Sequence, residues 1–178
     1  MLAMSPNSAV LRYVMQKTWL AAFVLLVLCY PAFASTASEI AQIQSGTTDG
    51  SSSNSEFRFV ITSEQMANAL STSSHISLTV SLTPQDDHVG LAADVFAVIV
   101  ADGIFYLLNA DGTYTYWDGS VANLTPFAPQ TILEKSNQFS LLDGKMSAAG
   151  TYLYFSAYSV AGESRLLFTP QPAQINVA

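Results

Sequence analysis

Two histidines, a few carboxylates and many serines are the side chains here whose types invite catalytic or metal chemistry. His75 and His88 lie at either end of one apolar-alternating run, with Asp86-Asp87 beside the second. A zinc site needs three or four nitrogen, sulfur or oxygen ligands to converge. An extended chain between these histidines holds them roughly 40 Å apart, which excludes a shared site within that strand and leaves both as surface residues. Asp86-Asp87 supplies hard oxygen ligands suited to calcium. It lacks the Asp-x-Asp-x-Asp spacing of loop-bound sites and reads as a solvated acidic turn. A serine nucleophile needs a base and an oxyanion donor, yet no Gly-x-Ser-x-Gly elbow is present. Nothing favours paired carboxylates for sugar hydrolysis. The sequon Asn123-Leu124-Thr125 matters only in a eukaryotic host. These residues point away from an enzyme and imply neither metal nor cofactor.

Aromatic residues carry the stronger signal. Asp102-Gly103, Asp111-Gly112 and Asp118-Gly119 punctuate apolar alternating runs. Asp-Gly suits the type I′ hairpin turn, which needs positive φ at both central positions. Residues 94–101, 104–110 and 113–117 therefore form a β-meander. With two-residue loops at the first two turns, Ala101 opposes Ile104 and Ala110 opposes Thr113. One face then carries Phe96, Val98, Val100, Phe105, Leu107, Tyr114 and Tyr116, and as the heavier face it is expected to be the core. The other places Tyr106 directly opposite Trp117, the candidate ligand or partner contact. Flat aromatics suit sugar rings and anchor protein interfaces. The alternative is that another strand, loop or helix covers this face, since buried aromatics usually serve packing. A longer loop at either turn would invert the parity.

The elements around the meander are of the same kind. Phe57, Phe59 and Ile61 alternate with polar or lighter residues. Residues 62–70 suggest one or two helical turns, with Thr62 and Gln65 at capping-box spacing. His75 to Thr83 is the cleanest strand, with Ile76, Leu78, Val80 and Leu82 on one side. Further strands are expected at 138–142, ended by a turn at Asp143-Gly144, then at 151–160, 165–169 and 175–177. About eight short strands with Gly-containing turns predict an all-β fold, an antiparallel sandwich or barrel.

Asp94-Val95-Phe96, Gly103, Phe105-Tyr106-Leu107, Gly112 and Trp117-Asp118-Gly119, with the Tyr-rich run Tyr152 to Tyr158, resemble the Ig-like β-sandwich accessory modules of secreted bacterial proteins. The likeness spans Ile76 to the C-terminus. It implies an extracellular Ig-like sandwich and no catalytic activity. Residues 101–112 also look like one unit of the choline-type cell-wall-binding repeats, but the rest of the chain does not continue that pattern.

The N-terminus predicts export. Arg12 and Lys17 precede an apolar run from Thr18 to Tyr30, then Pro31 and Ala32-Phe33-Ala34. Charge, apolar stretch and small-x-small site in that order form a secretory signal, with cleavage expected after Ala34. Retention as an anchor and lipidation at Cys29 are the alternatives. Cys29 is the chain's one cysteine, so the exported portion has no disulfide or thiolate site. It carries four basic against 13 acidic side chains, a net charge of −9. Nucleic acid needs clustered Lys and Arg to displace counterions, so it is excluded as a partner, as is anionic lipid.

The expected organisation is a signal peptide over 1–34, a flexible Ser/Thr/Gly-rich spacer over 35–55 and a β-sandwich over 56–178. The expected function is a non-catalytic exported binding module of the bacterial envelope, periplasmic or surface-exposed. Its ligand would be envelope glycan or another protein, with no membrane insertion. A structural subunit of a surface assembly, an adhesin or pilus-associated component, is the alternative. A small outer-membrane barrel ranks below it, because barrel strands alternate apolar with polar whereas 94–101 is apolar on both sides.

Overall fold

The computed structural model of the protein describes residues 36–39, 42–63 and 70–178. The signal-peptide expectation, Cys29 and most of the helical expectation at 62–70 lie outside these residues. Thr62 and Ser63 belong to a strand.

Thirteen strands occur among the described residues, more than the eight expected. The first four are β1 (Thr36–Glu39), β2 (Ile43–Gln44), β3 (Gly46–Thr47) and β4 (Glu56–Ser63). Next come β5 (His75–Thr83), β6 (Ala92–Ala101), β7 (Ile104–Leu108), β8 (Tyr114–Tyr116) and β9 (Ala128–Ile132). The last are β10 (Asn137–Lys145), β11 (Gly150–Val160), β12 (Leu167–Phe168) and β13 (Ala173–Val177). The first sheet runs β1-β4-β5-β10, with β2 also on β4. The second runs β3-β12-β11-β6-β7-β8, with β13 on β11 and β9 on β6. Every strand pairing in the two sheets is antiparallel, and the sheets do not close into a barrel. The only helical elements described are two 3-10 turns, at Asp86–His88 and Val121–Asn123. No described helix is long and apolar enough to cross a membrane.

One hydrophobic cluster joins both sheets. β5 contributes Ile76, Leu78, Val80 and Leu82, all fully buried as their alternation predicts. Phe57 and Phe59 of β4 lie beside them, in register with Leu82 and Val80. The second sheet answers with Tyr154 and Tyr158 of β11 and with Ala93, Val95, Ala97 and Ile99 of β6. The expected core face is therefore inverted in β6 and β7: Val95, Ala97, Ile99 and Leu108 turn inward, while Phe96, Val98 and Phe105 turn outward. Volume explains the choice. Two large tyrosines already fill the space between the sheets, so close packing selects the lighter face of β6.

The Asp102-Gly103 hairpin is as expected. Ala101 pairs Ile104, and both turn residues have positive φ (51° and 77°). The Asp111-Gly112 turn is not. Leu108 pairs Tyr114 and Tyr106 pairs Tyr116. The Asn109 N–H donates to the Thr113 carbonyl at 2.8 Å and Gly112 N–H to the Asn109 carbonyl at 3.0 Å. The loop thus has three residues, 110–112, with only Gly112 at positive φ (81°), the type I turn with a left-handed third residue. Asp111 Oδ1 accepts from the Thr113 hydroxyl at 2.6 Å and N–H at 2.9 Å. Those bonds, the hydroxyl first, hold its carboxyl below the usual range. Asp143-Gly144 makes no turn: it continues β10 against Ser77 and Ile76.

The spacer expectation also needs correction. β2 pairs β4 and β3 pairs β12, so residues 43–47 bind both sheets. Ser53 and Ser55 are buried, and their hydroxyls meet each other and that of Ser45. Mutual hydroxyl bonding makes burial of such a polar run affordable. His88, expected at the surface, is only 2% exposed. Its Nδ1 lies 2.9 Å from the Tyr158 hydroxyl and its Nε2 3.1 Å from an Arg165 guanidinium nitrogen. A guanidinium only donates, so Nε2 accepts and the imidazole proton sits on Nδ1, facing Tyr158. The Gln85 N–H also donates to that hydroxyl, at 3.3 Å. Arg165 further donates to Gln85 Oε1 at 3.2 Å and to Glu163 at 3.4 Å.

Two expectations follow. Tyr158→Phe leaves the His88 and Gln85 donors without their acceptor and should cost about 1–3 kcal/mol in urea unfolding; an unchanged midpoint would show the bonds carry no net stability. Burial raises the pKa of both Tyr154 and Tyr158. The fold therefore favours their neutral form. That contribution is complete below the unfolded tyrosine value of about 10 and is lost as pH rises above it. The urea midpoint should hold up to about pH 10 and then fall, more shallowly in Tyr154→Phe.

Candidate binding site

The side chains that β11 and β6 turn outward do not all reach solvent. Phe96 and Val98 of β6, Phe105 of β7, Phe155 of β11 and Phe168 of β12 form the floor and one side of a groove of about 240 Å³. Register places them together: Val98 pairs Phe155, Phe96 pairs Ala157, and Ala157 pairs Phe168. Gly46 of β3 admits the Phe168 ring, since a Cβ there would come within 3.0 Å of its Cζ.

The segment after β8 builds the other side. The Trp117 N–H donates to the Phe105 carbonyl at 2.9 Å, extending the hairpin by one residue. That keeps Trp117 beside Phe105, with ring centroids 6.0 Å apart and planes at 88°, a favoured edge-to-face geometry. The indole Nε1 donates to the Ser120 carbonyl at 2.9 Å, which fixes the ring. Asp118 holds the loop by accepting from Ser120 N–H at 2.8 Å and the Asn123 amide at 2.7 Å. The 3-10 turn that follows sets Val121 and Leu124 into the groove wall. Phe105 remains 43% exposed.

Two hydroxyls in this lining are already committed. Ser156 Oγ donates to the Phe96 carbonyl at 3.3 Å, and Thr169 Oγ1 accepts from Ser156 N–H at 3.0 Å. The groove can remove an apolar group from water but offers few hydrogen-bonding partners to a polar one. It holds no nucleophile with an attendant base. His75 lies half-exposed, 3.5 Å from Asp143, and His88 is enclosed in its own bonds. No cluster of three or more metal-ligating side chains occurs among the described residues.

The expected pair is separated. Trp117 lines the groove, whereas Tyr106 lies opposite Tyr116 on the inward-facing side and lines a different cleft. The three-residue loop is the cause, because moving a register by one residue sends each side chain to the other face. Phe96 and Phe105 were hidden from sequence reasoning by their expected place in the core, and Phe155 and Phe168 by having no face assigned to their strands. Compared with protein-family models, curated proteins and solved structures, the chain matches none.

Asp118→Ala should free the loop. In a Trp19→Phe background, which leaves Trp117 as the sole indole, emission should shift to the red and near-UV circular dichroism should weaken while far-UV strand signal is kept. Unaltered emission would show that the carboxylate does not hold the wall in place.

Proposed function

We propose that this chain is a non-catalytic, exported binding module of the bacterial envelope that captures an apolar side chain of a partner protein in the outer groove. The groove itself carries the reading: aromatic and aliphatic side chains, fixed by a hydrogen-bonded loop, enclose a volume suited to one or two large apolar side chains. Rigid aromatics of this kind anchor protein interfaces at little entropic cost. Glycan is the weaker ligand for this groove, because sugar hydroxyls need partners and the groove's own hydroxyls are occupied.

Two antiparallel sheets around one core support a β-sandwich, and the resemblance to Ig-like accessory modules supports placement outside the cytoplasm. The apolar run before Ala34 supports export. Separate sheets with free edges weigh against the outer-membrane barrel. A second reading, subunit of a surface assembly, is favoured by β10, a nine-residue strand that among the described residues pairs only with β5.

The test is a pull-down from native envelope extract with the wild type and with Val121→Asp, which sets a charge at the groove wall. A sedimentation control with insoluble glycan runs alongside. A stoichiometric protein captured by the wild type and lost with Val121→Asp is the expected result. Glycan cosedimentation insensitive to Val121→Asp, or a protein retained by the variant, would overturn the groove as the binding site.

A further inference from the structure

The inward side of the β7–β8 hairpin forms a second concavity, where the sheets part near β10. Cross-strand register sets one row across the second sheet: Tyr154, Ile99, Tyr106, Tyr116. Burial falls along this row, from the enclosed Tyr154 through half-buried Tyr106 to Tyr116, which is 72% exposed. Tyr106, Tyr114, Tyr152 and Tyr154 line a cleft of about 350 Å³, closed from the other sheet by Leu142, Lys145 and Met146. A neighbouring hollow of about 400 Å³ shares Tyr114, Leu142 and Lys145 with it. The Tyr114 hydroxyl spans the gap between sheets, donating to the Leu141 carbonyl at 3.0 Å. These dimensions are those of ligand pockets.

The polar groups of the cleft narrow the ligand class. The Tyr152 hydroxyl is spent on the Ala148 carbonyl at 2.9 Å. The Tyr106 hydroxyl and the Lys145 ammonium enter no hydrogen bond or ion pair among the described residues. Asp102 lines the same cleft, and Asp143 lines its neighbour beside Lys145. An anionic ligand would meet those carboxylates and a net-acidic chain. A wholly apolar ligand would bury the free ammonium and hydroxyl without partners. Flat tyrosine faces, with donors and acceptors of both signs around them, suit an uncharged ring that is apolar on its faces and hydroxylated at its rim.

We propose that this inter-sheet cleft binds a neutral glycan, one sugar ring against Tyr106 with its hydroxyls toward Tyr106 Oη and Lys145 Nζ, and the adjoining sugar outside the cleft against Tyr116, the exposed cross-strand neighbour of Tyr106. This site is independent of the outer groove, and a glycan held here does not compete with a protein held there.

The test titrates the full chain by calorimetry with cellotetraose, chitotetraose and maltotetraose, each to about 10 mM, a range that reaches weak millimolar binding. At least one should bind. Tyr116→Ala, at an exposed position that does not threaten the fold, should weaken that binding about tenfold, as loss of an aromatic contact does. Tyr106→Phe, which keeps the ring, should weaken it several-fold, and Trp117→Ala should leave it unchanged. Binding of none of the three, binding indifferent to Tyr116→Ala and Tyr106→Phe, or binding abolished by Trp117→Ala would each overturn the assignment.

Discussion

Tyr154 and Tyr158 point from one face of β11 into the space between the sheets, and their bulk decides which way the neighbouring strands present themselves. With these two rings inside, small and medium residues of β6 suffice to complete the core. The heavier residues, Phe96 and Val98, are displaced to the far side, where Phe155 and Phe168 join them. Groove and core thus share one cause. A sheet with a smaller residue than tyrosine at 154 and 158 would have to turn its phenylalanines inward to reach native packing density, and no aromatic groove would remain outside.

Much of this fold was legible in the chain. β5 has the bounds its alternation predicts, because one face is fully buried and the other is not. The Asp102-Gly103 hairpin, the all-β antiparallel class and the long β11 were legible for the same local reasons. The rest depended on context. A two-residue and a three-residue loop can both carry Asp-Gly, and Asn109 and Thr113 choose the second here through bonds that only the folded hairpin makes. β9 holds Pro129 and a positive φ at Gln130, so its local signals speak against a strand, yet Asp94 accepts the Gln130 N–H and secures it beside β6. The serine-rich stretch carries no apolar pattern at all, and its strands form only because two sheets offer it partners.

The candidate site shows the same division. Trp117 was picked out from the sequence and does line the groove, but through a register the folded hairpin does not keep. Its companions were not, since face assignment depends on a parity set by one loop residue. The Tyr106–Trp117 pair, drawn from a single mistaken register, dissolves into two separate surfaces of different chemistry. One is apolar with its hydroxyls spent; the other is tyrosine-lined, with an ammonium that enters no ion pair among the described residues.

The pairing of Gly46–Thr47 with Leu167–Phe168 joins segments from opposite ends of the folded region. A ladder closed over so long a loop forms late, because chain entropy must be surrendered before its contacts return anything. A chain emerging N-terminus first, from a ribosome or through a translocation pore, cannot seat β3 until residue 168 has appeared. Until then β3 has no partner strand and the second sheet lacks its outer edge, while β2 and the Ser45, Ser53 and Ser55 hydroxyls can already be tied to β4 and to one another. The last edge of the second sheet is therefore added only once most of the chain has emerged.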